Sequence, residues 1–368
     1  MFFGSRCKNN TSLYVNHFEK EARQKLPNSI FDFFAGGADE EITLKENTLQ
    51  FDRIKLIPRV LKEITSLEVS SKILGQELSF PLLIAPMAFQ KLAHELGEIA
   101  VAKAASEHGI LMTVSTLSTS TFAGIKSVST SPPWLQIYIY KDREITKNLI
   151  KSASDLGYKA IILTVDVPFY SKRSRELKNP IKIPSSLYMI NLINAGLDLK
   201  NISPSLIPQY LSSLISSNIS WKDIEWLRSI TSLPIILKGI LHPEDIQIAI
   251  ENSIEGVILS NHGGRQLDTA ITSLESLQLI KEDLKEKIEI IVDGGVRKGI
   301  DILKALALGA RGVMIGRPII WGLAVNGEKG VSAVINNLKE ELILAMALTG
   351  CSSLRNIDDS ILFNKLIK

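Results

Sequence analysis

From about residue 80 onward, short apolar runs that end in a polar or glycine-rich turn alternate with longer stretches in which apolar residues recur at helical spacing. The apolar runs cover residues 82–85, 110–114, 134–139, 160–165, 235–237, 256–259, 288–292 and 312–315. Between them, residues 98–107, 143–154, 244–251 and 298–307 read as amphipathic helices. Eight strands alternating with helices is the number that closes a (β/α)8 TIM barrel, an α/β fold. A doubly wound sheet would carry about five or six strands and an early GxGxxG turn.

Ahead of the barrel, residues 15–25 and 40–51 carry helical periodicity, with Pro27 and the pair Gly36-Gly37 as breaks. These helices are expected to close the barrel floor or edge. The pattern divides one domain, 1–368, into an N-terminal helical extension (1–78), the barrel (79–330) and a C-terminal helix and tail (331–368). After the fourth strand, residues 171–220 form an insertion rich in Ser, Asn, Ile and Leu. It reads equally well as a lid over the catalytic end or as a variable loop.

Composition changes this picture little. With 45% hydrophobic and 22% charged residues over 368 positions, the chain has the profile of a soluble globular protein. The net charge of +3 is spread along the chain without a basic run, which argues against a nucleic-acid partner. Cys7 and Cys351 are the only cysteines, so neither a disulfide framework nor a cysteine-ligated metal site is indicated. Residues 1–10 lack the apolar core of a signal peptide, and Lys365-Leu366-Ile367-Lys368 is not a peroxisomal address. A cytoplasmic location without membrane contact is expected.

The candidate chemistry lies where the strands end. Met87, Ser115, Gln136, Tyr138, Thr164, Asp166, Lys238, His262, Asp293 and Arg317 fall at or just beyond the carboxyl ends of the eight strands, the end at which such barrels react. The segment Ser260-Asn261-His262-Gly263-Gly264-Arg265-Gln266-Leu267-Asp268 sets a proton acceptor and a carboxylate-binding guanidinium three residues apart. Alone, that pair could be surface decoration. Asp293-Gly294-Gly295-Val296-Arg297 and Gly316-Arg317-Pro318 follow strands seven and eight, where glycine amides and two guanidiniums suit a phosphate dianion. Lys238 adds a positive charge near the barrel axis, suited to an electron-rich ring that becomes anionic on reduction.

These segments, with Gln136 to Asp142 and Leu163 to Pro168, resemble the FMN-dependent L-2-hydroxyacid oxidase and dehydrogenase family, which includes the glycolate and lactate oxidases. The resemblance spans residues 15–356. It implies FMN as cofactor, a small 2-hydroxy acid as substrate, and assembly as a homotetramer or octamer. With no fused haem domain, O2 is the expected electron acceptor. It implies that His262 takes the substrate proton, that Asp166 pairs with the imidazole, and that Tyr138 hydrogen-bonds the substrate oxygen. Arg265 and Arg173 would bind the substrate carboxylate, with Arg175 an alternative for the second arginine. Pro86, Met87, Ala88, Ser115, Gln136, Thr164 and Lys238 would surround the flavin ring. Ser260, Asp293, Gly294, Gly295, Arg297, Gly316 and Arg317 would take the ribityl chain and phosphate. Type II isopentenyl diphosphate isomerases would share the phosphate end, but have no need of His262 and Arg265.

Three positions depart from the glycolate oxidase pattern. Phe33 stands where the family has a tyrosine whose hydroxyl helps hold the substrate carboxylate, so weaker substrate binding is expected. Inactive flavin binding is the extreme form of that expectation. Met87 replaces a threonine beside the flavin, and Leu117 replaces a tryptophan that narrows the pocket. The latter two resemble the cyanobacterial L-lactate oxidases and point to L-lactate, with glycolate as the alternative.

Overall fold

The computed structural model describes residues 14–199 and 202–363. The terminal segments containing Cys7 and Lys365 lie outside the described residues. A short antiparallel hairpin, β1 (Ser71–Ile73) and β2 (Gln76–Leu78), precedes eight strands: β3 (Leu82–Ile84), β4 (Leu111–Ser115), β5 (Trp134–Ile137), β6 (Ile161–Thr164), β7 (Ile235–Ile240), β8 (Gly256–Leu259), β9 (Glu289–Asp293) and β10 (Gly312–Ile315). All eight pair in parallel, each with its sequence neighbour, and β10 pairs back onto β3 to close the barrel.

The period of two along each strand decides which residues line the interior. Leu83, Leu111, Trp134, Ile162, Ile236, Ile258, Ile291 and Met314, one from each strand, form a buried inner cluster. Their neighbours, among them Ile84, Met112, Leu135, Leu163, Leu237, Leu259, Val292 and Ile315, face outward into the larger core under the helices. Continuing the inward set toward the carboxyl ends reaches Ser115, Gln136, Thr164, Lys238, Ser260, Asp293 and Gly316. The polar layer is thus the next storey of the same alternation.

At the opposite end, of the two places expected for the N-terminal helices, floor or edge, the floor is taken by another element. The hairpin β1–β2 plugs the floor: Ile73 and Leu78 join the inner cluster, Trp134 Nε1 donates to Gln76 Oε1, and Leu74 N donates to Glu289 Oε2 at 2.9 Å. The N-terminal helices lie elsewhere. Helix Val15–Lys25 buries Val15, Phe18 and Ala22, and Lys25 Nζ reaches the carbonyl of Val325 in the last long helix, Arg317–Thr349. The second helical pattern begins two residues later than read and runs Ile42–Arg53. Between Pro27 and Gly36 the chain forms a helix the pattern did not announce, Asn28–Ala35, which carries Phe33 and Phe34 to the catalytic end. Other boundaries move by a few residues: β5 stops at Ile137, and β7 extends to Ile240 through a bulge at Gly239.

The insertion contains helices Ser174–Lys178, Ile190–Asn194 and Ile207–Leu214. Its far end is pinned to the segment after β5, where Ser216 N donates to Ile139 O and Lys141 N donates to Leu214 O, each at 2.8 Å.

Candidate active site

A cavity of about 1430 Å³, mouth included, opens at the carboxyl ends of the strands. It is lined by His262, Tyr138, Arg265, Arg173, Phe33 and Leu117, and by Gly294, Gly295, Arg297, Gly316 and Arg317. Pro86, Met87, Ala88, Ser115, Gln136, Thr164, Lys238 and Asp293 complete its wall. Of the residues expected from the sequence, Asp166 and Ser260 stay off the surface, each directly behind a residue that is on it. Arg175, the alternative to Arg173, is absent from the lining and pairs with Glu41. The insertion contributes Pro208, Leu211, Ser212 and Ile215, so this part of it does cover the site.

His262 sits just past β8 with φ +57, a left-handed conformation uncommon outside glycine. Its backbone N–H donates to Ser260 Oγ at 3.0 Å, and its Nδ1 lies 2.9 Å from Asp166 Oδ1. With Nδ1–H given to the carboxylate, Nε2 is left as the acceptor. Burial lowers the imidazole pKa below its ordinary value, and the adjacent Asp166 carboxylate only partly offsets this. The net direction is therefore opposite to the one Asp166 alone would impose. Asp166 is itself held by the fold: Gln266 Nε2 donates to its carbonyl at 2.8 Å, and Gly239 leaves the space for its carboxyl. A Cβ at Gly239 would sit 2.5 Å from Asp166 Cγ, and the backbone there has φ +109. Gly239 gave no signal in the sequence, since it lies beyond the apolar run 235–237 and belongs to none of the motifs.

The polar layer is joined by hydrogen bonds. Ser115 Oγ donates to Gln136 Oε1 at 3.2 Å, and Gln136 Nε2 donates to Thr164 Oγ1 at 3.0 Å. Lys238 Nζ donates to Ser260 Oγ at 2.8 Å and lies 2.6 Å from Asp293 Oδ2, and Ser260 Oγ donates to Asp293 at 2.9 Å. Burial would raise the Asp293 carboxyl, but Lys238 and Ser260 hold it below its usual range. Asp293 is therefore first of all the buried ion-pair partner of Lys238.

The phosphate end has a different balance. Arg317 donates only to carbonyls: Nε to Phe34 O, Nη1 to Gly263 O and Nη2 to Gly36 O, each at 2.9 Å. Arg297 Nη1 donates to Val296 O at 2.9 Å. Among the described residues neither forms an ion pair. Burial, then the guanidiniums of Arg265 and Arg297, push the Arg317 pKa down to about 9, and burial lowers that of Arg297. Two desolvated cations beside the Gly294-Gly295 turn call for an anion. No side chain could stand in the turn, because a Cβ at Gly295 would come within 1.9 Å of the Asn47 carbonyl oxygen. The donor set fits a phosphate monoester, as FMN carries.

The profile of the FMN-dependent dehydrogenases matches residues 22–364. The chain belongs to this FMN-dependent family. As a member it is an FMN-dependent (S)-2-hydroxy-acid oxidase family enzyme that oxidises 2-hydroxy acids. It is 46% identical over 356 residues to an L-lactate oxidase of Nostoc sp., covering 95% of this chain and 98% of that protein. It is 43% identical over 357 residues to a 2-hydroxyacid oxidase of Dictyostelium discoideum, covering 96% and 91%. It is 44% identical over 358 residues to human 2-hydroxyacid oxidase 1, covering 94% and 95%. Among solved structures, mandelate oxidase superposes with a TM-score of 0.86 at 37% identity, over 94% of this chain and 96% of that one. The FMN oxidase fold of these relatives and the closed barrel described above agree.

Proposed function

We propose that this oxidase acts on a short L-2-hydroxy acid, L-lactate foremost, giving the 2-oxo acid and, with O2 as acceptor, hydrogen peroxide. The observation that carries this reading is the His262–Asp166 pair, 2.9 Å apart, in one cavity with Tyr138, Arg173 and Arg265. FMN, when bound, would supply the redox chemistry, taking up two electrons and one of the two protons lost by the alcohol and passing them to the acceptor. The protein residues do the rest. Nε2 of His262 receives the substrate proton, and Asp166 stabilises the resulting imidazolium. Tyr138 stays protonated, since burial and Asp166 raise its pKa, and donates to the substrate oxygen. Arg265 and Arg173 orient the carboxylate, for which planar guanidiniums are the matching donors. Lys238 places a positive charge beside the ring.

The pocket chemistry supports lactate over glycolate. Met87 and Leu117 give that wall flexible apolar side chains in place of a threonine and a tryptophan, leaving room and apolar contact for a methyl group at C2. Anaerobic mixing of the FMN-loaded protein with L-lactate, D-lactate and glycolate in turn, followed by air, tests the proposal. Flavin bleaching by L-lactate, with recolouring and peroxide in air, is the expected result. Faster bleaching by glycolate would overturn the substrate assignment, and bleaching that persists in air would make the enzyme an acceptor-linked dehydrogenase.

A further inference from the structure

The carboxylate end of the cavity contains a phenol that the motifs do not account for. Tyr170, between β6 and helix Ser174–Lys178, lines the cavity. Its hydroxyl donates to Glu176 Oε2 at 2.6 Å and accepts from Arg173 Nη1 at 3.2 Å. Glu176 Oε1 accepts from Arg265 Nη2 at 2.8 Å and from Arg173 Nη1 at 3.3 Å. The Arg173 guanidinium lies 4.4 Å over the Tyr170 ring, much as the Arg265 guanidinium lies 5.3 Å over the ring of Phe33. Two guanidiniums and one phenol thus converge on a single carboxylate, and that carboxylate belongs to the chain itself. Phe33 faces one of the same arginines with no hydroxyl to offer.

We propose that Tyr170, with Arg173 and Arg265, forms the receptor for the substrate carboxylate, and that Glu176 is the resident carboxylate the substrate displaces from it. Tyr170 then supplies the phenolic hydrogen bond that Phe33 lacks. The inference rests on the 2-hydroxy-acid reading above. Helix Ser174–Lys178 is only five residues long and buries none of them, so Glu176 withdraws without opening the core. Burial pushes the Tyr170 hydroxyl up to about 12, which keeps it a donor throughout the working pH range. An internal competitor lowers apparent affinity in proportion to its occupancy, so removing its charge strengthens binding of an external carboxylate.

The test uses the FMN-loaded enzyme and two readouts: KM against kcat for L-lactate, and the calorimetric Kd for pyruvate, which needs no turnover. Tyr170→Phe is expected to raise both KM and the pyruvate Kd roughly tenfold, the low end for a hydrogen bond to a charged group. Adding Phe33→Tyr to that variant is expected to restore most of the loss. Glu176→Gln is expected to tighten pyruvate binding severalfold, with Glu176→Asp, which keeps the charge on a shorter arm, between it and the wild type. A pyruvate Kd unchanged by Tyr170→Phe, or weakened by both Glu176 variants, would overturn the proposal. If pyruvate shows the expected pattern while no 2-hydroxy acid bleaches the flavin, the receptor stands and the oxidase reading fails. Turnover without the pattern rejects the receptor alone.

Discussion

Replacing Asp166 by Asn isolates the part of the chemistry that the protein, and not the cofactor, provides. The two side chains are largely shielded, with 23% of His262 and 12% of Asp166 exposed, and their contact is 2.9 Å. A hydrogen bond to a charged group in such a setting contributes about 1.5–3 kcal/mol. The imidazolium gains this stabilisation only once the proton has arrived, so the loss falls on the reductive step and amounts to roughly 10- to 150-fold in its rate constant. The asparagine also offers Nδ1 a donor in place of an acceptor, which works in the same direction. Stopped-flow bleaching of the flavin at saturating L-lactate under anaerobic conditions measures that rate directly. The pH profile supplies a second readout with a defined sign. The base must be neutral, and burial places its pKa below the ordinary 6.5, so the acid limb of the wild-type reduction rate lies below that pH. Asp166 opposes burial; its removal therefore moves the limb to still lower pH while the plateau falls. A reduction rate within about twofold of wild type, or a limb that moves up, would refute the assigned role.

Gly239→Ala is expected to push the Asp166 carboxyl off His262, because the new Cβ would lie 2.5 Å from Asp166 Cγ; flavin reduction should slow by roughly tenfold or more, and an unaffected rate would show that the strand yields instead. Arg317→Met should weaken FMN roughly 10- to 150-fold, the loss of a charge-assisted contact, as measured by flavin fluorescence on titrating the apoprotein; unchanged affinity would place the phosphate elsewhere. Leu117→Trp should lower kcat/KM for L-lactate relative to glycolate by about 10-fold or more, since one methyl group in a tight pocket is worth roughly 1–3 kcal/mol; an unchanged ratio would remove Leu117 from substrate selection.

The barrel was legible because its signal is local. Each strand carries its own alternation, and the same alternation that buries Ile236 and Ile258 delivers Lys238 and Ser260 to the rim. His262, Arg265 and the two phosphate-end turns were legible for the same reason, each being a short segment at the end of a strand. Other features depend on partners far apart in sequence. Glu176 looks like one more acid on a short charged helix until it is seen against Arg265, 89 residues away. The hairpin at the floor falls within the stretch read as a helical extension and takes its place only through Trp134 over Gln76, and the eight-residue helix carrying Phe33 has neither a capping side chain nor length enough to announce itself. Arg173 and Arg175 are likewise told apart only by a distant partner, Glu41 in the N-terminal extension, which pairs with Arg175.

Arg317 touches three parts of the chain at once: the carbonyls of Phe34 and Gly36 in the N-terminal segment, and that of Gly263 in the turn beside His262. Arg265 shares the Gly36 carbonyl with it. The N-terminal segment that carries Phe33 and the turn that carries His262 are therefore fastened to one guanidinium. A displacement of the Arg317 guanidinium would therefore be felt in both segments at once.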